Sequence, residues 1–484
     1  MILFKCFTMQ KYLIILTYDA YISFFFNTFA DDYYVINQNL LKKIIQIMLR
    51  KYILSACLIV FISQAAGAQS GTNSPYSQFG LGMLSDHTTG FNRGMNGLGI
   101  AYHEHNQVNN LNPASYSLID SLTFIFDAGV SGQITNFKES GKRLNAKNAV
   151  FEYIVGAFRL RKHLGLSFGL IPYTNIGYSY SSTGKVGDVH NTTFTNAYYG
   201  TGGLHQVYVG LGWQPFKGFS VGVNGGYLYG EYTRSVVNSY SNNAAKTLSK
   251  IYSADVRNYK LDFGAQYALK LNKKDELNIG ATFSPGHKIG GKPTLRIIST
   301  NTQTAVADTT LFPANGQKDL QLQIPTTLSA GVMFNHDNSL KVGVDYQLQK
   351  WSSVEEPTFS VDANGQASYT LASGHFMNRN KFTVGVNYCP MELSRSFFKR
   401  MHYRAGVSYA TPYYKISNDD GPKEISASFG IGIPVINSWN NRSWLNISAQ
   451  WVHQSASHFI TENSFRINIG LTFNERWFAK WKLE

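Results

Sequence analysis

His453 and Ser455 stand two residues apart near the end of an alternating segment, on its lipid-facing side. A His in that position could take the Ser proton and create a nucleophile. Such a pair needs a third polar group or calcium-binding acids, and the neighbouring sequence offers neither. Gly286-His287-Lys288-Ile289-Gly290-Gly291-Lys292 has phosphate-loop spacing, but Pro293 stands where Ser or Thr would hold magnesium, and no helix follows. His103-Glu104-His105 lacks the second His spacing of a zinc-protease helix and reads as a surface polar cluster. The glycines at 94–99 have no strand before them and no helix after, so they are not a nucleotide fingerprint. The reading is therefore of a non-enzyme, with no catalytic residue, metal or cofactor.

The elements that would carry these residues are strands. Val207, Val209, Leu211 and Trp213 alternate with Tyr208, Gly210 and Gly212. Leu328/Ala330/Val332/Phe334, Phe382/Val384/Val386/Tyr388 and Phe465/Ile467/Ile469/Leu471/Phe473 repeat the pattern. Apolar residues at a period of two are the strand signal, and segments of about ten residues suit a transmembrane barrel. Fourteen segments start near residues 121, 149, 164, 204, 218, 252, 276, 326, 340, 380, 402, 423, 443 and 464. Connections after the second, fourth, sixth, eighth and twelfth are tight; those at 178–203, 236–251, 286–323 and 352–379 are long. Short turns opposite long loops predict an all-β fold: a fourteen-stranded antiparallel transmembrane β-barrel. Glycines on the polar face, among them Gly210, Gly222, Gly280, Gly331, Gly343, Gly385, Gly406, Gly430 and Gly470, leave room for something in the lumen.

The start of the chain sets the compartment. Residues 48–68 carry the charged pair Arg50-Lys51, an apolar run to Ile62, and Ala66-Gly67-Ala68 before Gln69, the three parts of a signal peptide. Residues 1–47 read as a mis-called extension ahead of a start at Met48; the rival is a genuine N-terminal helix through Leu40-Leu41-Lys42-Lys43. Leu54-Ser55-Ala56-Cys57 fits a lipobox, but the apolar run continues past Cys57. After Ala68, 416 residues remain, with Cys389 as the sole cysteine and a net charge of +11. No basic helix or arginine-rich run appears, so nucleic acid is not expected as a partner. Only 15% of residues are charged and 14% are aromatic, a Gram-negative outer-membrane composition when no apolar helical span follows residue 69.

Residues 69–119 do not alternate. They contain Phe91-Asn92-Arg93-Gly94-Met95-Asn96-Gly97-Leu98-Gly99 and then Asn112-Pro113-Ala114-Ser115. With these motifs the chain resembles the FadL-like family of long-chain fatty-acid outer-membrane transporters, the FadL/TodX-type barrels. That family carries a glycine-bearing segment and an Asn-Pro-Ala motif in an N-terminal hatch. The resemblance assigns hatch residues Gly94, Gly97, Gly99, Asn112, Pro113 and Ala114. It continues in Pro325 before the eighth strand, in Asp345 with Trp351 and Ser352, and in Arg404 with Gly406. It implies that 69–119 form a hatch inside the lumen, 120–474 the barrel, and 475–484 a periplasmic tail able to serve a partner.

Pro172 lies inside the third strand, within Phe168-Gly169-Leu170-Ile171-Pro172-Tyr173-Thr174-Asn175-Ile176-Gly177. Proline cannot donate a ladder hydrogen bond. It either ends pairing near the outer rim or, as the resemblance implies, opens a lateral gate at Pro172, Asn175 and Gly177 through which hydrophobic ligands leave sideways. The function expected is uptake of hydrophobic compounds such as long-chain fatty acids across the outer membrane, a lipid-transport role. The alternative is a barrel component or attachment factor of a protein-secretion system; a phospholipase-like hydrolase on His453 and Ser455 is a third reading. Expected partners are the hydrophobic ligand, outer-membrane lipid and lipopolysaccharide, the barrel-assembly machinery and a periplasmic protein at the tail, with both mature termini periplasmic. N-terminal sequencing of membrane-extracted protein should begin at Gln69; a protein retaining residues 1–47 would contradict the Met48 start.

Overall fold

The computed structural model describes residues 71–139, 141–187, 192–314, 319–417, 419–436 and 442–475. The expected extension, the signal peptide with Cys57, residues 69–70 and the tail from 476 lie outside the described residues. Fourteen strands follow one another as β1 (Phe124–Glu139), β2 (Lys142–Arg161), β3 (Leu164–Lys185), β4 (Thr193–Phe216), β5 (Phe219–Tyr240), β6 (Thr247–Lys270) and β7 (Asp275–Ser284). They continue as β8 (Thr327–His336), β9 (Leu340–Gln349), β10 (Arg379–Tyr388), β11 (His402–Ala410), β12 (Lys423–Ile436), β13 (Arg442–Ser455) and β14 (Thr461–Glu475). Each pairs antiparallel with its sequence neighbour, and β1 pairs with β14 from Phe124↔Glu475 to Lys138↔Thr461, so the sheet closes. The barrel thus runs through Glu475, one residue beyond the expected boundary.

Closure satisfies backbone groups strand to strand, as hydrocarbon surroundings require. The side chains then divide by face. Val207, Val209, Leu211 and Trp213 are 41–54% exposed, while Tyr208 between them is buried. Val342, Val344, Phe382, Val384, Ile467 and Ile469 extend this apolar outer belt. The inner face carries polar residues and glycine, the expected alternation of a membrane barrel. No helix among the described residues is long and apolar enough to cross a membrane.

Two expected loops are instead strand. β3 to β6 are 22, 24, 22 and 24 residues long, whereas a bilayer crossing needs ~9–11. Their surplus projects at the long-loop end, so 178–203 and 236–251 are mostly extended hairpins. Thr294–Thr300 pairs with the start of β6, and Ala307–Phe312 pairs with it in turn, widening that projection. Outside the bilayer nothing demands apolar alternation, which is why the alternating pattern placed the starts of β2 and β4 too late. The phosphate-loop look-alike is a short strand, His287–Gly291, paired with Gln321–Ile324.

The inner glycines meet residues 90–117 at van der Waals distance or closer. A Cβ on Gly222 would lie 2.3 Å from the Pro113 carbonyl carbon, and one on Gly280 would lie 2.2 Å from the Ile100 oxygen. Gly406 faces the Met95 carbonyl, Gly430 faces Gly94, and Gly470 faces Gly90 in the same way. Chain packed this closely leaves no space for a side chain. Replacing Gly222 with Val should cost about 1–3 kcal/mol by overpacking and loosen residues 112–114 while the barrel persists. Increased proteolysis within that segment, with unchanged heat-modifiable migration, would be the outcome; an unaltered digestion pattern would contradict the contact.

Candidate functional site

The ladder between β2 and β3 is short. It runs only from Arg161↔Leu164 to Ile154↔Leu170, although β1 pairs with β2 as far as Lys142 and β4 pairs with β3 as far as Lys185. Lys142 to Tyr153 on β2 and Ile171 to Lys185 on β3 therefore face each other with no ladder between them. Pro172 lies two residues past the last β2–β3 pair. The β3–β4 register also shifts between Pro172 and Thr174, leaving Tyr173 as a bulge residue. A missing donor and a bulge both interrupt pairing, and the wall parts where they coincide.

The free edge of β3 is covered from inside by the start of the described chain. Met83 and Leu84 pair with Asn175 and Thr174. The Ser85 amide donates to the Tyr173 carbonyl at 3.0 Å, and the Gly177 amide donates to Ser77 Oγ at 3.1 Å. Gly82, at φ 99°, lets this backbone lie on β3, since a Cβ there would sit 2.5 Å from Ile176. Ser74 donates to Glu462 at 2.7 Å, Tyr76 donates to the Ile460 carbonyl, and Tyr180 donates to Gln78 at 2.9 Å. The β2 edge is also reached from this segment, Asn73 Nδ2 donating to the Lys147 carbonyl at 3.1 Å. Gly71 itself lies against Asn175, on the part of β3 beyond the break toward the long-loop end.

Deeper in the lumen the chain is held by charge and amide groups. Asp345 Oδ2 accepts from the Gly99 and Ile100 amides at 2.7 and 2.9 Å. Arg93 reaches Glu152 at 2.9 Å and Asn468 at 3.0 Å. Asn112 caps the 3-10 turn Pro113–Leu118 by accepting from the Ala114 amide, and its Nδ2 donates to Ile100 and Ala265 carbonyls. Arg404 is buried, donates to Asn387 and Asn446, and lays its stem against Gly94. Gly97, at φ 92°, turns the chain between these anchors.

The structure thus joins several residues that the sequence only suggested. Pro172, Asn175 and Gly177 share the opened edge. Gly94, Gly99, Asn112, Pro113, Ala114, Asp345, Arg404 and Gly406 meet in the lumen. Trp351 is elsewhere, buried in an aromatic core with Tyr413 at 4.6 Å and Phe376 at 5.5 Å. Ser352 is exposed and its amide donates to Asn378; Pro325 lies against Gly286, beyond the outer ends of β7 and β8. His453 Nδ1 contacts Asn463 Oδ1 at 2.9 Å rather than Ser455. His103 contacts Gln266, Glu104 pairs with Lys341, and His105 contacts Asp120, which accounts for that motif.

Sequence reasoning missed a cavity of about 310 Å³ at the long-loop end. Its wall includes Tyr178, Tyr232, Tyr252, Phe359, Tyr369 and Phe376, around the single arginine Arg234. Arg234 donates to the Gly80 carbonyl at 2.6 Å and lies 4.7 Å over the Tyr232 ring. Burial raises the pKa of the neighbouring Glu356, which Arg234 partly offsets. Aromatic density in the outer hairpins was the available signal, but it is spread over β3, β5, β6 and the connection 352–379. At the opposite end, a cavity of about 530 Å³ carries the charged groups of Glu104, Lys217, Lys270, Glu276 and Lys341, with His105, Tyr102, Tyr267 and Leu269 between them.

Removing the Asp345 carboxylate should release the segment locally. Hydrogen bonds to a charged group contribute ~1.5–3 kcal/mol, so Asp345→Ala should raise amide exchange at Gly99 and Ile100 by at least roughly tenfold. Unchanged exchange at both amides would contradict the anchoring role.

A family model described as BamG matches residues 48–484. No curated protein matches. Among solved structures, the P. putida toluene transporter TodX is 13% identical, with a TM-score of 0.55, covering 82% of this chain and 100% of that one. The Ralstonia pickettii toluene transporter TbuX gives 13% identity and a TM-score of 0.53 over 80% and 98% of the two chains. A Pseudomonas aeruginosa FadL homologue gives 13% and 0.53 over 81% and 99%. At such identity the likeness establishes a shared fold. The closed fourteen-stranded barrel shares its fold with these three structures, and the chain belongs to the BamG family.

Proposed function

We propose that this barrel takes hydrophobic small molecules, such as long-chain fatty acids, from the outer face and releases them sideways into the outer membrane. The observation that carries this reading is the end of the β2–β3 ladder at Ile154 and Leu170, beside Pro172. In the proposal Pro172, Asn175 and Gly177 form the gate, and residues 69–119 act as the hatch that closes the lumen to polar solutes.

Energetics favour the lateral route. An apolar ligand gains ~0.8 kcal/mol per CH2 buried, so the aromatic outer cavity can draw it from lipopolysaccharide. The straight path would take it through Arg93, Glu152, Asp345 and Arg404, all buried and hydrogen-bonded, and then past the charged groups of the inner cavity. That path offers no apolar burial in return, and each buried group it unpairs costs ~1–3 kcal/mol. A side exit returns the ligand to hydrocarbon instead. Behind Tyr173, a cavity of about 130 Å³ with Asp86, His87, Lys260, Asp262 and Lys381 in its wall suits the polar end of an amphipathic ligand. Toluene passage belongs to the similar transporters TodX and TbuX by description, and the shared fold supports a cargo of that broad class.

A mature start at Gln69 after export, with Met48 as the first residue, accords with the family match beginning at 48. Insertion by the barrel-assembly machinery, lipopolysaccharide around the outer belt and a periplasmic partner for the tail complete the reading. A second reading shares the same fold, because cargo can change while a fold persists. In that reading the barrel is a component or attachment factor of a protein-secretion system.

Pro172→Val restores a donor and should extend β2–β3 pairing. Uptake of labelled fatty acid by a deletion strain carrying the variant should fall severalfold, with assembly unchanged. Normal uptake by a fully assembled variant would refute the lateral exit. Wild-type protein that restores surface export of secreted proteins without any fatty-acid uptake would select the second reading.

A further inference from the structure

Residues 389–401, between β10 and β11, break the pattern of their end of the barrel. Neighbouring connections at 162–163, 217–218, 271–274 and 337–339 are tight turns. This one is longer and folded: the Cys389 amide donates to Ser339, Met391 to Lys399, and Ser394 to Met391, at 2.7, 2.8 and 3.1 Å. Apolar side chains in the middle of the turn are nevertheless exposed. Met391 is 58% exposed, Leu393 77% and Phe398 69%. Phe397 packs only edge-on against Phe398 among the ring contacts of this turn, with centroids 5.6 Å apart.

The turn is attached to the lipid-facing side. Tyr403 alternates with buried His402 and Arg404, which point inward, and its hydroxyl donates to the Phe398 carbonyl at 3.2 Å. Tyr403 is paired with Tyr388, a 45% exposed member of the outer belt. The apolar patch on the turn therefore continues the belt downward past the last ladder pair. Arg395, Lys399 and Arg400 accompany it, against one acid, Glu392. Aromatic and aliphatic side chains beside basic ones, at the level where a barrel leaves hydrocarbon, are the composition that binds an anionic lipid interface.

We propose that residues 389–401 form an interfacial anchor for the short-turn-side leaflet. Leu393, Phe397 and Phe398 enter the acyl boundary, and Arg395 and Lys399 meet the phosphates of acidic phospholipids. Continuity with the lipid-facing row and the excess of positive charge select phospholipid over a protein as the occupant. The proposal needs only that the barrel lie in a bilayer, and it is independent of any cargo.

The test uses the whole mature protein in vesicles of phosphatidylethanolamine and phosphatidylglycerol, with Phe398→Cys carrying a nitroxide. Unsubstituted protein is the labelling control, because Cys389 is buried. The anchor predicts collisions with oxygen in excess of those with a water-soluble nickel chelate. Nickel collisions in excess place Phe398 in water and overturn the proposal. A label exposed in vesicles yet shielded in native membrane fragments assigns the turn to a protein partner, which overturns it equally. For the charges, Arg395→Gln with Lys399→Gln should lower the enrichment of phosphatidylglycerol around the barrel by about fivefold per charge. Unchanged enrichment, with heat-modifiable migration intact, overturns the headgroup contact. None of these outcomes bears on fatty-acid uptake, so failure here is separable from failure of the channel reading.

Discussion

A backbone amide or carbonyl in hydrocarbon must find a partner within the protein. A closed barrel meets that demand by pairing every strand on both sides, so a single interrupted ladder has consequences throughout the molecule. Here the interruption falls between β2 and β3, above Ile154 and Leu170. The amides and carbonyls of Ile171 to Gly177 that β2 leaves free are met from within. Met83, Leu84, Ser85 and Ser77 supply part of what the neighbouring strand would have supplied. The N-terminal segment is thus a structural part of the wall as well as an occupant of the lumen.

That double duty explains how the segment is fixed elsewhere. A patch two residues long on β3 is a weak hold, and the rest of the binding comes from the lumen. The inner glycines admit backbone at contact distance, and Asp345, Asn112, Arg93 and Arg404 hold it by charge-assisted and amide hydrogen bonds. Small residues supply the space, and polar residues supply the attachment. Toward the long-loop end the same chain changes character. Tyr76, Leu81 and Ile176 join Trp351, Phe376, Tyr413 and Tyr414 in an apolar core. The molecule is therefore greasy at one mouth, polar through its middle and charged at the other mouth. The wall break lies between the first two regions.

The barrel was legible because the bilayer imposes a strict rule on each strand that crosses it. Wherever Val207, Phe382 or Ile467 must face lipid, alternation follows, and all fourteen crossings could be placed. The rule stops at the membrane surface, so the outer halves of β3 to β6 read as loops. The glycine positions were informative for a related reason: nothing but close backbone explains so many on one face. The link between Asp345 and Gly99 was not legible, since 246 residues separate them and the motifs that carry each do not state that the two meet. The outer cavity was hidden in the same way, because its aromatics and Arg234 come together only through the folding of separate hairpins. Pro172 sits between these cases. Its missing donor announced a defect in pairing, but only the register assigned the defect to β2 rather than β4.

The central claim is that cargo leaves through the wall between β2 and β3. A fatty acid bearing a terminal diazirine, irradiated with the protein in lipid nanodiscs and mapped by mass spectrometry, reads that path directly. The account predicts labels on residues 142–153 of β2 and 171–178 of β3, with little on the inner cavity. Labels concentrated on Tyr102, Tyr267 and Leu269 at the inner cavity, with none on the opened edges, would contradict it.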